Sequence, residues 1–142
     1  MKRAFLALFV QSVFVVNSAA QSLQKPFTGS FWNDEYNIYL EIDLHGEGIE
    51  VPEHEMFGPL PGYLGKKYNN FYWVVTSKKL KSKKVAILEM INDYGSEDLS
   101  VSFTMKDDST FVLKQLKGSD LKVPNKGKWQ KIPTEIIMRR KK

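Results

Sequence analysis

Tyr36, Ile38, Leu40, Ile42 and Leu44 are apolar, and the positions between them include Asn37, Glu41 and Asp43. A period of two sets one row of side chains against a core and the other toward water, which predicts a strand over 36–44. His45-Gly46-Glu47-Gly48 is turn chemistry, and Ile49 and Val51 start a second strand that Pro52 limits, so these two strands read as a hairpin. Leu99, Val101, Phe103 and Met105 alternate with Ser100, Ser102 and Thr104, which predicts the first set buried and the second exposed. Shorter apolar runs predict strands over 71–76, 85–91, 110–116, 121–123, 128–132 and 134–140, joined mostly by tight turns. After residue 20 no long window carries a helical period. The expected fold is all-β, with about eight short antiparallel strands in a small closed up-and-down barrel. A five-stranded OB-type barrel and a two-sheet sandwich stay open, because a period of two does not distinguish closure from stacking.

Two stretches fall outside this pattern. Residues 21–28 contain Pro26 and little periodicity, and read as an extended N-terminal arm. Residues 53–70 carry Gly58, Pro59, Pro61, Gly62 and Gly65 around Met56, Phe57, Leu60, Tyr63 and Leu64. So long a loop in a small domain exceeds what connection requires, and such loops are commonly functional. Its apolar set either folds back to cap a barrel end or forms an exposed patch for a partner or ligand.

The first residues change the picture of where the chain works. Met1-Lys2-Arg3 is basic, 4–16 is uncharged and largely apolar, and Asn17-Ser18-Ala19-Ala20 supplies small residues, the layout of a signal peptide cleaved after Ala20. The apolar run is short for a membrane span, so no membrane insertion is expected, and the remaining single domain, 21–142, is expected to be secreted or periplasmic. With no cysteine in 142 residues, disulfides, Cys-based zinc sites, iron–sulfur clusters and thiol nucleophiles are excluded, and an exported chain of this kind fits a bacterial source. Charge is divided along the chain: 21–65 has one basic residue, Lys25, against eight acidic ones, whereas 66–142 has 18 basic against 8 acidic. In a barrel these segments are neighbours, so the charges complement each other over the surface, and with export this argues against nucleic acid as a partner.

Candidate chemistry is sparse. His45 and His54 are the only histidines. Glu53-His54-Glu55 has no second metal-binding segment to complete a site and reads as a solvated acidic loop. Asn92-Asp93-Tyr94-Gly95-Ser96-Glu97-Asp98 lacks calcium-loop spacing and reads as a turn. Lys78, Lys79, Lys81, Lys83 and Lys84 form a basic hairpin tip that solubilises and blocks edge pairing. No cofactor, no metal and no catalysis are expected, since neither histidine sits in a nucleophile–base pattern.

Thr28-Gly29-Ser30-Phe31-Trp32-Asn33, before the first long strand, resembles the Gly-x-Trp opening of the calycin group, the lipocalins and avidins, with one extra residue before the Trp. The resemblance implies a barrel whose floor is plugged by this aromatic under an arginine of the last strand, here Trp32 with Arg139 and Arg140. The extra residue makes Phe31 the other candidate for the plug position. In length, signal peptide, barrel body and N-terminal arm the chain also resembles the exported bacterial peptidase inhibitors of the serralysin-inhibitor and potempin types, which implies inhibition by an N-terminal segment or loops.

The functional expectation is a non-catalytic, exported binder of another protein. Its specific form is a protease inhibitor acting on a secreted peptidase through the arm, the 56–65 loop, or both, with Phe27, Met56, Phe57, Leu60, Tyr63 and Leu64 as contacts. The alternative is a carrier of a small apolar ligand inside the barrel. Large inward candidates such as Tyr36, Phe71, Trp73, Phe103 and Phe111 favour a filled interior and hence the protein binder.

Overall fold

The computed structural model describes residues 25–141. The expected signal peptide and the arm residues 21–24 lie outside the described residues. The described residues form ten strands: β1 (Thr28–Asn33), β2 (Ile38–Asp43), β3 (Gly62–Lys66), β4 (Tyr72–Leu80), β5 (Val85–Asn92), β6 (Asp98–Met105), β7 (Thr110–Gly118), β8 (Lys122–Asn125), β9 (Lys128–Lys131) and β10 (Glu135–Arg140). Eight of them close into an antiparallel barrel in the order β1-β10-β7-β6-β5-β4-β3-β2, and β8 with β9 makes a separate two-stranded sheet. The barrel is an up-and-down meander with one hairpin inserted before its last strand, which rules out the OB-type barrel and the open sandwich.

Alternation explains most of the wall. In β2, Ile38, Leu40 and Ile42 are buried while Tyr39, Glu41 and Asp43 are half-buried on the outside. In β5, Ala86, Leu88 and Met90 point inward. The inward face of the wall is largely apolar. β4 departs from alternation: Tyr72, Trp73, Val74 and Val75 are all buried. Trp73 and Val75 belong to the interior cluster, whereas Tyr72 and Val74 face outward beneath residues that cover the wall.

The interior is filled with rings. Phe31, Phe103 and Phe111 pack with centroids 4.7 to 5.0 Å apart, and Phe27 closes over them. At the opposite end, Leu121, Val123 and Ile132 of the inserted hairpin region enter the same core, and the Trp73 indole N–H donates to the Lys122 carbonyl at 2.9 Å. Gln115 holds this region in place by accepting from the Leu121 N–H and donating to the Ile132 and Pro133 carbonyls.

Several sequence expectations need correction. The chain 28–33 is a full barrel strand, pairing with both β2 and β10. Ile49 and Val51 do not form a strand beside β2; Ile49 makes one isolated bridge to Leu60, and β3 pairs with β2 instead. This strand is concealed in the sequence by Gly62 and Gly65, whose apolar neighbours are few. The glycines are required by close approach: a Cβ at Gly65 would lie 2.6 Å from the Tyr39 ring, and one at Gly62 would strike the Glu41 carbonyl. In β6, Leu99, Val101 and Phe103 are buried as expected, but Met105 is only half-buried and Ser100 is covered, its hydroxyl donating to Glu89 at 2.6 Å. A bulge between Ser100 and Val101 accompanies this irregularity.

Candidate binding groove on the outer wall

The connection 44–61 between β2 and β3 lies as a flap against the outer face of β3, β4 and β5. Asp43 roots it, accepting from the Gly46 and Gly48 N–H groups at 2.9 and 3.2 Å and from the Thr28 hydroxyl at 3.2 Å. Burial pushes the Asp43 carboxyl up, but these hydrogen bonds outweigh it and hold the group below its ordinary value. Gly48 is positioned for backbone contact, with φ of 97° and space for no Cβ against the Leu60 carbonyl. The Ile49–Leu60 bridge closes the base, and Val51 of the flap is fully buried.

The far side of the flap is a short 3-10 turn, Glu55–Phe57, preceded by His54. The His54 Nε2 lies 2.7 Å from Asp93 Oδ1 in the β5–β6 turn, and the other Asp93 oxygen accepts from the Tyr72 N–H at 3.1 Å. The Phe57 ring stacks on His54 at 6.1 Å. Flap and turn thereby stand as two walls of a groove of about 470 Å³ whose floor is Val74, Thr76 and Ile91. Its sides are His54, Phe57 and Leu60 on one hand, and Asp93 and Tyr94 on the other. Phe57 is 65% exposed, Tyr94 72% and Met56 82%, large for apolar or aromatic side chains that a soluble surface would otherwise hide. Glu53, Glu55, Asp93, Glu97 and Asp98 surround them in sequence and give this face an acidic border.

The structure divides the expected contact residues. Met56, Phe57 and Leu60 belong to the flap, with Met56 and Phe57 exposed and Leu60 half-buried. Tyr63 is half-buried on the outer wall, its ring 6.0 Å from Tyr39 and 5.3 Å from Tyr72. Burial raises the phenol pKa of Tyr39, Tyr63 and Tyr72 above the ordinary tyrosine value. Leu64 is fully buried inside β3, and Phe27 is 1% exposed beneath the barrel's rim, so both are core residues with no surface to offer. The segment 56–65 is therefore a flap end followed by a strand, and Phe27 fastens the arm to the barrel.

The plug is also corrected. Trp32 faces outward, stacked on Tyr39 at 5.0 Å, and the cation over its ring is Lys141 at 4.4 Å. Arg139 pairs with Trp32 across the strands on that outer face and donates to the Thr110 hydroxyl. Phe31 occupies the inward position, with the Arg140 guanidinium 4.9 Å above its ring and 5.4 Å from that of Phe111. Arg140 also donates to the Thr28 carbonyl at 2.9 Å, the Pro26 carbonyl at 3.0 Å and, through Nε, the Asp108 carbonyl at 3.0 Å. Burial lowers the Arg140 pKa and the nearby Asp108 offsets this only in part, but a guanidinium starts so high that the group stays charged over the aromatic floor.

Sequence reasoning missed the second wall of the groove. His54 and Asp93 were each visible as metal candidates, yet they stand 39 residues apart, and no local pattern joins them. Among the described residues no group of three potential metal ligands gathers. Ile91 shares the outward face of β5 with Val85, Ile87 and Glu89, so nothing in the sequence singles it out. Comparison with protein-family models, with curated proteins and with solved structures finds no match for this chain.

Proposed function

We propose that the chain is a non-catalytic binding protein that takes an apolar side chain of another protein into the groove between flap and β5–β6 turn, and that the partner is a secreted peptidase. The observation that carries this reading is the exposure of Phe57 and Tyr94 on opposite walls of a preformed groove of about 470 Å³. The His54–Asp93 bond ties the two walls to each other, so little ordering remains to be done on binding, and preorganised aromatic anchors of this kind dominate interface energies. The Arg140 clamp supports the inhibitor plan further, because it fixes where residues 25–28 join the barrel. The carrier alternative has less support: the rings of Phe27, Phe31, Phe103 and Phe111 occupy the space that a ligand inside the barrel needs.

The test is titration of the protein against a panel of secreted serine and metallopeptidases, with residual activity as readout. Inhibition is expected, weakened by at least about 1 kcal/mol in Phe57→Ala and Tyr94→Ala. No inhibition across the panel rejects the peptidase, and undiminished binding by both variants rejects the groove. An apolar molecule that co-purifies with the protein would promote the carrier.

A further inference from the structure

We propose that the outer edge of β9 is a second docking site, which accepts an extended, acid-rich segment of another protein as a third strand on the β8–β9 sheet. Closure gives each of the eight barrel strands two neighbours, but among the described residues β9 pairs with β8 alone. The hairpin turn is Lys126-Gly127, with φ of 55° and 81°, and the flanking pair is Asn125 with Lys128. Next to a two-residue turn of this kind the first pair is hydrogen-bonded, and bonded and non-bonded pairs alternate from there. Val123 and Gln130 therefore bond to each other, whereas Pro124–Trp129 and Lys122–Lys131 do not. The position of Pro124, which has no N–H to give, agrees with this register.

It follows that the N–H and C=O groups of Trp129 and Lys131 point away from β8. They are two donors and two acceptors at the repeat of an incoming strand, the unpaired edge that recruits another chain. The opposite edge is engaged, since the Lys122 carbonyl takes the Trp73 indole N–H. The β9 edge is exposed: Trp129 is 49% accessible and the Lys131 side chain 75%.

Charge selects the occupant. Residues 121–132 contain Lys122, Lys126, Lys128 and Lys131 and no acidic residue. A second copy of β9 would bring the same charges and be repelled, while a strand with alternating carboxylates is attracted. Lys122 is paired with Glu97 at 3.2 Å, and Lys131 with Asp120 at 3.2 Å. The Lys131 pair is exposed on both sides, a weak link that an arriving carboxylate can replace.

The experiment uses a fluorescein-labelled peptide of alternating Glu and Val, followed by anisotropy, with amide hydrogen exchange read on the same complex. Binding is expected, with slowed exchange at Trp129 and Lys131. Lys131→Pro removes one outward N–H without touching a bond between β8 and β9, and should weaken binding about tenfold, whereas Lys131→Ala, which keeps the N–H, should cost less. Phe57→Ala should leave peptide affinity unchanged, which separates this site from the groove. Absence of binding, unprotected Trp129 and Lys131 amides in the wild-type complex, or equal losses in Lys131→Pro and Lys131→Ala would overturn the proposal. So would self-association through β9 with no affinity for the peptide. A folding defect in Lys131→Pro leaves the exchange measurement on the wild type, together with Trp129→Pro, to decide.

Discussion

Two pieces of chain lie outside the eight-stranded cylinder, and they differ in where their apolar residues go. The β8–β9 region sends Leu121, Val123 and Ile132 into the barrel's own core, so it is a structural stopper for one end. Beyond Leu44, its root in that core, the flap buries only Val51, and it leaves Met56 and Phe57 in water. An insertion that shares the core is part of the fold, whereas one that makes a private contact and exposes aromatic side chains is available for recognition. The charges follow the same division, since the flap is acidic and the hairpin basic.

Truncations put this contrast at risk most directly. Phe103→Ala, at the shared core, should lose about 3 to 5 kcal/mol in urea unfolding, and Leu121→Ala about 2 to 5 kcal/mol, because each leaves a cavity in a fully buried site. Phe57→Ala in the flap should stay within about 0.5 kcal/mol of wild type, as an exposed position does. A flap truncation as costly as Leu121→Ala would erase the distinction.

A smaller effect sharpens it. Asp93→Asn or His54→Ala should cost about 1 kcal/mol, the net worth of a hydrogen bond, and should speed amide exchange in 49–60 while the β8–β9 amides keep their protection. Equal acceleration in both regions would mean that they open together.

Acid should then loosen the flap's root before the hairpin. Asp43 has a folded pKa below its ordinary value of 3.8, so the stability it adds is present above that value and lost as pH falls through the lower folded one. The difference between wild type and Asp43→Asn should shrink over that acidic window and be constant near neutrality, as read from urea midpoints at each pH.

The smallest expected effect lies at alkaline pH. Tyr39, Tyr63 and Tyr72 are raised by burial, so they should ionise later than a free phenol in ultraviolet titration, and stability should decline as pH rises beyond about 10. Removing the flap should lower the value for Tyr72 if the flap is what covers it.

The sequence made the wall legible wherever one face meets a core and the other meets water, as in 36–44 and 99–105. It concealed β3, where the outward position at Gly65 is vacant so that Tyr39 can lie across it, and a period cannot be read from an absent side chain. It also misplaced the plug: Gly29-Ser30-Phe31-Trp32 offers two aromatics, and strand parity decides between them, sending Phe31 inward and Trp32 outward. Phe57 and Leu60 could be chosen as apolar residues without a strand to occupy, but Asp93 and Tyr94 became their neighbours only through the pairing of β4 with β5. Long-range pairing of that sort leaves no local trace.

The clamp around Arg140 has a consequence for the order of events as the polypeptide is made. Its guanidinium holds carbonyls 112 and 114 positions earlier in the chain, and β10 is the strand that closes the cylinder between β1 and β7. A nascent chain can pair β1 through β7 as successive neighbours, yet the cylinder has an open seam until β10 arrives. Closure of the cylinder therefore waits for β10, with the slowest step expected to be a search between distant segments. Until then both flanks of the seam are unpaired strands, and this interval is when the molecule is most open to proteolysis or to capture by other chains.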